Sequence, residues 1–494
     1  MKKNLFMVAA VALMAMVSCN KEYMNNGTDA PKPSYYVEFT AAIDNEEDAP
    51  VLQQAAAQTK TSYNSSKKTT CWSTGDEISV NGKKFRVEEL INGGLQARFL
   101  NVEELGENFG APYTAIYPYN ATAGTAEVPA TQTVSNGTFA DESVVTVAYA
   151  ESGNELSFKH VSSVVKFQVS TEGIKELTFS SASNIAGTIN VNANKGGEPS
   201  FTAKAGKKEI TVKPSSGSFK TNETYYVSVL PTSSASKFEI KAEGVTVKSG
   251  NVTFKRNKVM DAKAISVKYV HLKPSLIWGM KSPRYAVYYF VSENESEWVN
   301  MGDSDNDGVY SAIVPEKYLS AQCILCRMNP GASENKWENK WNQSPDLAVP
   351  STTNNAYIVK PLTWDKGAGT WATLANAKVY KENAIYLKPG NVWNESSPRF
   401  AIYLCNGSSE AKWMSMSKFD EYYGVELPTG FDSNKYKNII FCRMSPSNTT
   451  NKWENKWSQT ADLATTKMTS EGYYCCKISG DRDNPTVTWS KKLD

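Results

Sequence analysis

Apolar and polar residues alternate along most of the chain in short runs separated by turn-forming residues. Clear examples are Leu156–Val169, Tyr285–Val291 and Phe400–Cys405. A period of two is typical of β-strands that bury one face, and the clusters of Gly, Asn, Ser and Asp between the runs are typical of turns. Asn81-Gly82, directly after the run Glu77–Val80, favours a type I′ hairpin turn. We therefore predict an all-β fold, a string of antiparallel β-sandwich domains.

An internal repeat organises the C-terminal half. The segment NKWENKW at 335–341 recurs unchanged at 451–457, and Cys326-Arg327-Met328 recurs 116 residues later. A unit of about 105–115 residues has the size of a single domain and is far longer than a solenoid repeat. The repeat predicts two tandem domains, at 269–375 and 383–494.

The N-terminus has the pattern of an export signal. Lys2 and Lys3 precede the apolar run Leu5–Val17, which is too short to span a bilayer. The run ends in Met16-Val17-Ser18-Cys19, which resembles the lipobox of bacterial lipoproteins. The resemblance implies that residues 1–18 are removed and that Cys19 is lipidated. Residues 19–34 are rich in Asn, Lys, Pro and Gly without a hydrophobic period, which predicts a flexible tether. The alternative is an ordinary secretory signal with an incidental cysteine.

Composition then removes several function classes. The 53 basic and 51 acidic residues nearly balance, so electrostatics gives no reason to expect nucleic acid as a partner. The two histidines, His160 and His271, lie far apart in sequence, which disfavours a histidine-based metal site or catalytic relay. The seven cysteines after Cys19 are odd in number and irregularly spaced, so we predict packing residues rather than disulfides. Cys323 and Cys326 form a C-x-x-C without the second pair that a zinc site needs.

The region before the repeat carries several ordered motifs: KTSY at 60–63, WSTGDEISVNG at 72–82, YTAIYPY at 113–119, LSFKHVSSVVKFQV at 156–169 and IAGTI at 185–189. This region resembles the fimbrillin-like lipoproteins of Bacteroides-type bacteria. The resemblance implies two transthyretin-like β-sandwiches, at 35–170 and 171–268, on the outer surface of the cell. Polymerising fimbrillins are usually cleaved after an arginine near the N-terminus. The first arginine here is Arg86, within the predicted domain, so assembly by that route is not expected.

Each repeat has more tryptophan than a small sandwich core needs. The matched residues are Trp278, Trp298, Trp337 and Trp341 in the first repeat and Trp393, Trp413, Trp453 and Trp457 in the second. An indole or phenol ring offers a flat, desolvating surface to the C–H face of a pyranose. Amide and carboxylate groups can then fix the sugar hydroxyls. The aromatic surplus therefore predicts sugar binding.

The repeats also resemble carbohydrate-binding module family 26, the starch-binding β-sandwiches found with amylases. The shared pattern is a tyrosine-bearing strand (PRYAVYYF, PRFAIYLC), a Trp followed three residues later by Met, and a Gln-containing loop ending in Asp-Leu. Family members stack glucose on the tyrosine and tryptophan. The resemblance implies a binding role for Tyr288, Trp298 and Gln343 in the first module and for Tyr403, Trp413 and Gln459 in the second. We add Trp341 and Trp457 as candidates, because the NKWENKW segment departs from the shorter family loop.

Other interpretations stay open for these residues. Trp278 and Trp393 follow the first strand of each repeat and are more often core residues. Trp337 and Trp453 either support the loop or contact a ligand. The Asp303–Gly308 segment matches the start of a calcium loop, but Val314 stands where a bidentate glutamate is needed, so an acidic turn is favoured and no cofactor is expected.

Taken together, the sequence predicts a non-catalytic lipoprotein of the outer membrane that faces the cell surface. Its expected ligand is starch or a related α-glucan, bound by both tandem modules. A surface amylase or a glycan importer would be a natural partner. The rival is a fimbrial or adhesin subunit that binds no glycan, and a hydrolase is disfavoured because the repeats share few acidic residues.

Overall fold

The computed structural model describes residues 36–43, 62–64, 69–407 and 410–494, and over that part the predicted all-β fold is confirmed. The export signal, Cys19 and the tether lie outside the described residues. No described helix is long and apolar enough to cross a membrane.

The first unit is a barrel. Seven strands close in the order β1-β11-β10-β7-β4-β5-β6, because β1 pairs antiparallel with β6 on one side and parallel with β11 on the other. Trp72 lies in the centre, with its ring edge-on to Phe99, Tyr117 and Phe158. The strands of this part of the chain are β1 (Glu38–Ile43), β2 (Ser62–Asn64), β3 (Thr69–Cys71), β4 (Glu77–Val80), β5 (Lys83–Ile91), β6 (Gln96–Asn101), β7 (Tyr113–Tyr117), β8 (Thr125–Val128), β9 (Thr131–Val134), β10 (Thr146–Ala150) and β11 (Glu155–His160).

The second unit draws strands from both sides of the boundary expected near residue 170. Its strands are β12 (Ser163–Val169), β13 (Leu177–Ser181), β14 (Ala186–Asn192), β15 (Ser200–Lys207), β16 (Glu209–Pro214), β17 (Thr224–Val229), β18 (Ser236–Ala242), β19 (Val245–Val252) and β20 (Val259–Ile265). They form sheets in the orders β17-β12-β20, β19-β18-β13-β16-β9 and β15-β14-β8. The strands β8 and β9 lie between barrel strands in sequence but pair with strands of the second unit. The chain therefore leaves the barrel after β7, adds two strands to the second unit, and re-enters the barrel at β10. The predicted run Leu156–Val169 is two strands, one in each unit.

The two repeats have one topology. The first contains β21 (Tyr269–Lys273), β22 (Arg284–Ser292), β23 (Glu295–Met301), β24 (Tyr310–Ile313), β25 (Gln322–Met328), β26 (Lys340–Gln343), β27 (Leu347–Ala348), β28 (Asn355–Val359) and β29 (Gly369–Thr373). The second contains β30 (Ala384–Pro389), β31 (Arg399–Asn406), β32 (Glu410–Ser415), β33 (Ser417–Phe419), β34 (Tyr422–Glu426), β35 (Asn438–Met444), β36 (Lys456–Gln459), β37 (Leu463–Ala464), β38 (Cys475–Gly480) and β39 (Pro485–Ser490). Short helices are α1 (Leu374–Val379), α2 (Asn391–Asn394) and α3 (Thr466–Thr469), and 3-10 turns span Glu316–Tyr318, Trp337–Asn339 and Trp453–Asn455.

Each repeat, called a module below, stacks two sheets around an apolar core. One sheet has the order β24-β21-β28-β29 in the first module and β33-β34-β30-β38-β39 in the second. The other sheet has the order β23-β22-β25-β26, matched by β32-β31-β35-β36, and we call it the platform sheet. Trp278 and Trp393 are fully buried in the two cores, as the packing interpretation predicted.

The modules pack against each other. Ile277 and Met280 of the first module lie in one buried cluster with Tyr386, Tyr422 and Cys475 of the second. In the first module, helix α1 covers the corresponding sheet face. The junction between the modules is therefore a packed interface and not an open linker.

Candidate glycan-binding surface

One tyrosine in each module points away from the core of the platform sheet. Tyr289 is fully buried in the core, and its neighbour Tyr288 lies on the opposite face because successive strand residues alternate. Sheet register places Tyr288 between Trp298 of β23 and Ile324 of β25. The register thus brings the predicted Tyr288 and Trp298 together.

The second module repeats this register. Tyr403 lies opposite Trp413 of β32 and Ile440 of β35. The predicted Tyr403 and Trp413 are therefore also neighbours on the outer face.

A third ring completes each cluster. The ring centroids of Tyr288 and Trp298 are 4.9 Å apart, and Trp337 lies 4.8 Å from the first and 4.9 Å from the second. The planes are inclined at 52° within the strand pair and at 65° and 66° to Trp337. We call Tyr288, Trp298 and Trp337, and their counterparts Tyr403, Trp413 and Trp453, the three-ring clusters. In the second cluster all three distances are 4.8 Å.

The loop that delivers the third ring is clamped to the platform sheet. Arg284 donates to Asn335 Oδ1 (3.0 Å) and to the Glu334 carbonyl (3.3 Å), and Asn335 Nδ2 donates to Asn300 Oδ1 (3.0 Å). The base of the loop closes where the Asn329 amide donates to the Asn339 carbonyl (2.8 Å). These bonds fix the loop over the outer face.

The same clamp is present in the second module. Arg399 donates to Asn451 Oδ1 and to the Thr450 carbonyl (2.9 Å), and Asn451 Nδ2 donates to Ser415 Oγ (3.0 Å). The Ser445 amide donates to the Asn455 carbonyl (2.9 Å). The clamp accounts for the recurrence of both asparagines of NKWENKW.

A lysine–glutamine pair borders each cluster. Gln343 lies opposite Cys326 and Lys340 opposite Met328, and both of these strand residues pack in the same apolar cluster as Tyr288. The Lys340 ammonium donates to Gln343 Oε1 and lies 5.3 Å from the Trp337 ring centroid. The predicted Gln343 is therefore on the outer face, beside the rings.

Gln459 has the same setting. It lies opposite Cys442 and accepts from Lys456, whose ammonium is 5.2 Å from the Trp453 ring centroid. Each module thus presents aromatic faces and polar side chains within one short stretch of surface.

Trp341 and Trp457, also predicted, lie elsewhere. Trp341 is the extra residue of a β-bulge, and its ring centroid is 4.5 Å from the guanidinium carbon of Arg327. That guanidinium is on the core side of the sheet, where it donates to the Trp278 carbonyl. Trp457 lies 4.7 Å from Arg443 in the same way. The structure does not bring these two tryptophans into the three-ring clusters.

The acidic segment forms a tight turn. The carboxylates of Asp303, Asp305 and Asp307 come within 4.8 Å of one another. Asp303 accepts from two backbone amides of its own turn, and the Lys378 ammonium lies 3.0 Å from Asp305 and 2.6 Å from Asp307. These ion pairs raise the pKa of Lys378 to about 12. Lys378 therefore offsets one of the three carboxylate charges.

The buried thiols are packing residues, as predicted. None of the seven described cysteines forms a disulfide, and all seven are buried. Cys323 faces the core and Cys326 the three-ring cluster, so the C-x-x-C pair lies on opposite sides of its strand. Burial raises the pKa of Cys323 and of Cys326 to about 12. Such thiols are poor nucleophiles and metal ligands at neutral pH.

Sequence reasoning left three contributors unassigned in each module. They are Arg284, Trp337 and Lys340 in the first module and Arg399, Trp453 and Lys456 in the second. For Trp337 and Lys340 and their counterparts, the available signal was the identity of NKWENKW in the two repeats. The roles of these residues depend on which residues lie opposite them on neighbouring strands, and the local sequence pattern does not contain that information.

Comparisons with known proteins give weak likenesses. No family model matches the chain, and the search of curated proteins finds no significant relative. A candidate cell adhesion protein from Bacteroides uniformis aligns at 15% identity over 50% of this chain and 93% of its own, with a TM-score of 0.25. A fimbrial assembly protein from Parabacteroides distasonis aligns at 12% identity over 57% and 100%, with a TM-score of 0.22. A candidate polysaccharide binding protein from Bacteroides thetaiotaomicron aligns at 9% identity over 44% and 99%, with a TM-score of 0.17. Scores this low support no conclusion about function.

Proposed function

We propose that this chain is a non-catalytic glycan-binding protein of the bacterial surface that holds starch or a related α-glucan through its two tandem modules. The observation that carries the proposal is the three-ring cluster, which occurs twice with centroid distances that agree to within 0.1 Å. A merely structural surface has no need to repeat three aromatic rings and a lysine–glutamine pair outside the core. A sugar-binding surface needs both components.

The tandem arrangement suits a polymer. Once one module has bound a glucan chain, binding by the second becomes intramolecular, so two modest sites give high avidity. The packed interface between the modules supports this use, because it limits the orientations that the second site has to search.

The surface location belongs to the same proposal. It depends on the resemblance of residues 35–268 to fimbrillin-like surface lipoproteins and on the export pattern ending at Cys19, whose lipidation would hold the mature chain on a membrane. An exported binding protein of this kind would retain starch near separate enzymes or importers of the cell.

The rival proposal is a fimbrial or adhesin subunit. In the barrel, β1 is paired on both sides, with β6 and with β11. A donated strand would have to replace β1, and no arginine precedes Arg86 to direct its removal. These facts disfavour a fimbrial subunit that assembles by strand donation.

The test uses the unacylated chain from Asn20 to Asp494 in native gels cast with and without amylopectin. We expect amylopectin to retard the chain and gels with a β-linked glucan to leave its migration unchanged. The Trp298→Ala plus Trp413→Ala variant should lose most of the retardation. Free migration of the unsubstituted chain through amylopectin would contradict the proposal and favour the adhesin role.

A further inference from the structure

We propose that Trp337 and Trp453 are the principal sugar-contacting rings of the two modules, and that Tyr288 with Trp298, and Tyr403 with Trp413, mainly support them. This inference rests on the proposed function and specifies which part of the same surface meets the ligand. It differs from the assignment that the family resemblance implies, in which the strand tyrosine and the following tryptophan form the contact.

The first argument is that Trp337 and Trp453 are the most exposed rings of their clusters. Trp337 and Trp453 each expose 41% of their surface, whereas the two strand residues of each cluster are half-buried. Trp337 lies 4.8 Å from Tyr288 and 4.9 Å from Trp298, inclined by about 65° to both. Trp337 contacts both strand residues of its cluster and is more exposed than either. A pyranose approaching the cluster from solvent therefore reaches the loop tryptophan most easily.

The second argument is that hydrogen bonds hold the turn that carries Trp337 in place before any ligand binds. Trp337 opens a 3-10 turn whose following residues are hydrogen bonded: the Lys340 amide donates to the Trp337 carbonyl, and the Asn339 amide donates to the Lys336 carbonyl at 3.0 Å. Asn339 Nδ2 also donates to the Glu334 carbonyl (3.0 Å). A ring held in place before binding loses little freedom on binding, so more of its contact energy appears as affinity. A passive loop support would not require an exposed face held this firmly.

The third argument is the lysine–glutamine pair, Lys340 with Gln343, that borders the Trp337 ring. Gln343 Oε1 accepts from Lys340, so its amide nitrogen and the remaining ammonium hydrogens are the groups that a ligand can reach. The ammonium lies over the Trp337 ring, 5.3 Å from its centroid, so it borders the space in which a sugar would meet that indole. Hydrogen-bond donors beside an exposed indole fit the hydroxyl-rich edge of a neutral glucan.

The chain supplies a matched control four residues away. Trp341 and Trp457 belong to the same segment and are 38% and 43% exposed, but they lie over Arg327 and Arg443 outside the clusters. Alanine at these positions removes the same side chain, at nearly the same exposure, from the same NKWENKW segment. The two pairs differ in their location relative to the three-ring cluster, and the control pair in addition covers the arginines.

The experiment compares the unacylated chain with the variants Trp337→Ala plus Trp453→Ala and Trp341→Ala plus Trp457→Ala. Binding of maltoheptaose is measured by isothermal titration calorimetry, and acrylamide quenching of tryptophan fluorescence is measured with and without the sugar. We expect the first variant to bind at least about tenfold more weakly, equivalent to ~1.4 kcal/mol. We expect the second to bind within about twofold of the unsubstituted chain, which is below ~0.5 kcal/mol. Maltoheptaose should protect tryptophan from acrylamide in the unsubstituted chain and in the second variant, and not in the first.

The outcomes separate the two proposals. If the unsubstituted chain binds maltoheptaose and the Trp337→Ala plus Trp453→Ala variant binds equally well, the inference is wrong and the proposed function stands. If the control pair loses binding instead, the inference is also wrong. If the unsubstituted chain binds no α-glucan, the proposed function itself fails. A Trp337→Tyr plus Trp453→Tyr variant, which keeps an aromatic face, should recover part of the affinity and thereby exclude loss through misfolding.

Discussion

A buried arginine shows how single residues hold each module together. Arg327 is 2% exposed, and its guanidinium donates to the carbonyls of Trp278 (2.7 Å) and Met280 and to Asn342 Oδ1 (3.0 Å). The indoles of Trp341 and Trp364 lie within 4.5 and 5.1 Å of its guanidinium carbon. Burial lowers the pKa of Arg327 below its usual value, but the side chain remains charged at any physiological pH. Its bonds tie the first loop of the module to the platform sheet.

We predict that Arg327→Met destabilises the first module by about 3–5 kcal/mol, because it leaves buried carbonyl groups without donors. The matched control is Arg482→Met, which removes an exposed ion pair with Glu395 and should cost about 0–1 kcal/mol. Thermal unfolding of the unacylated chain, followed by near-ultraviolet circular dichroism, measures both. Equal transition midpoints for the two variants would show that the buried network contributes little.

At the residue scale, sequence reasoning succeeded where chemistry is local. Cysteines with irregular spacing were predicted to be packing residues, and Trp278 and Trp393 to be core, and both predictions are confirmed. It failed to place Trp341 and Trp337 relative to the rings, because two tryptophans four residues apart in one polar loop look equivalent in sequence. Because Trp341 is the extra residue of a β-bulge, its ring lies by Arg327 and not in the three-ring cluster that contains Trp337.

At the element scale, the clamped loop links the fold to the proposed binding surface. Two strands carry its anchors, Arg284 on β22 and Asn300 on β23. The loop therefore depends on the guanidinium group of Arg284, which donates to the Asn335 side-chain oxygen and to the Glu334 backbone carbonyl at once. Lysine keeps the charge of Arg284 but lacks the planar fork.

We predict that Arg284→Lys weakens maltoheptaose binding by the first module by about three- to tenfold, because the loosened loop has to be ordered on binding. The counterpart Arg399→Lys should have the same effect on the second module, and the double variant should show both. Titration calorimetry measures the affinities, and circular dichroism checks that the β-fold is intact. Unchanged affinity in the double variant would mean that the loop is rigid without its clamp.

The strands themselves follow from alternation, but their partners do not. The hairpin predicted at Asn81-Gly82 is present, since β4 and β5 flank that turn as an antiparallel pair. The strands β8 and β9, in contrast, lie within the sequence of the barrel and pair with β14 and β16 of the second unit. Nothing in the local pattern of a strand specifies a partner about sixty to eighty residues away, which is why a single boundary near residue 170 does not describe the sheets.

At the scale of the whole molecule, the contact between the modules is the feature that sequence reasoning did not anticipate. A half-buried carboxyl group, Glu382, lies at this contact, where it accepts from the Leu276 amide (2.7 Å) of the first module and from the Tyr386 hydroxyl. Gly424 allows a close approach, because a Cβ at this position would lie 2.5 Å from Leu362 of the first module. The two proposed binding surfaces are therefore carried by bodies that share a specific interface.

Protonation of Glu382 should couple this interface to pH. Burial raises the pKa of Glu382 above its ordinary value of 4.5, and nearby Glu426 acts in the same direction, although the bonds from Tyr386 and Leu276 oppose the shift. A carboxyl group with a raised pKa binds its proton more tightly when the modules are docked. Its contribution to docking is therefore complete below the ordinary pKa and is lost as the pH rises through the raised pKa.

We predict that Glu382→Gln, which removes the charge, makes docking insensitive to pH as the pH rises through the raised pKa of Glu382. The amide oxygen of the variant can still accept from the Leu276 amide, and its nitrogen can donate to the Tyr386 hydroxyl oxygen. The difference in stability between the variant and the unsubstituted chain should grow from pH 4.5 upward, by roughly 1.4 kcal/mol per unit of pKa shift, and then level off. Hydrogen exchange of the Leu276 amide, corrected for its intrinsic pH dependence, measures docking directly. The Lys281→Ala variant, which removes only the exposed ion pair with Asp420, is the control and should leave the pH dependence unchanged. A constant difference between Glu382→Gln and the unsubstituted chain across this range would show that the carboxyl group stays ionised at the interface, so the bonds from Leu276 and Tyr386 outweigh its burial.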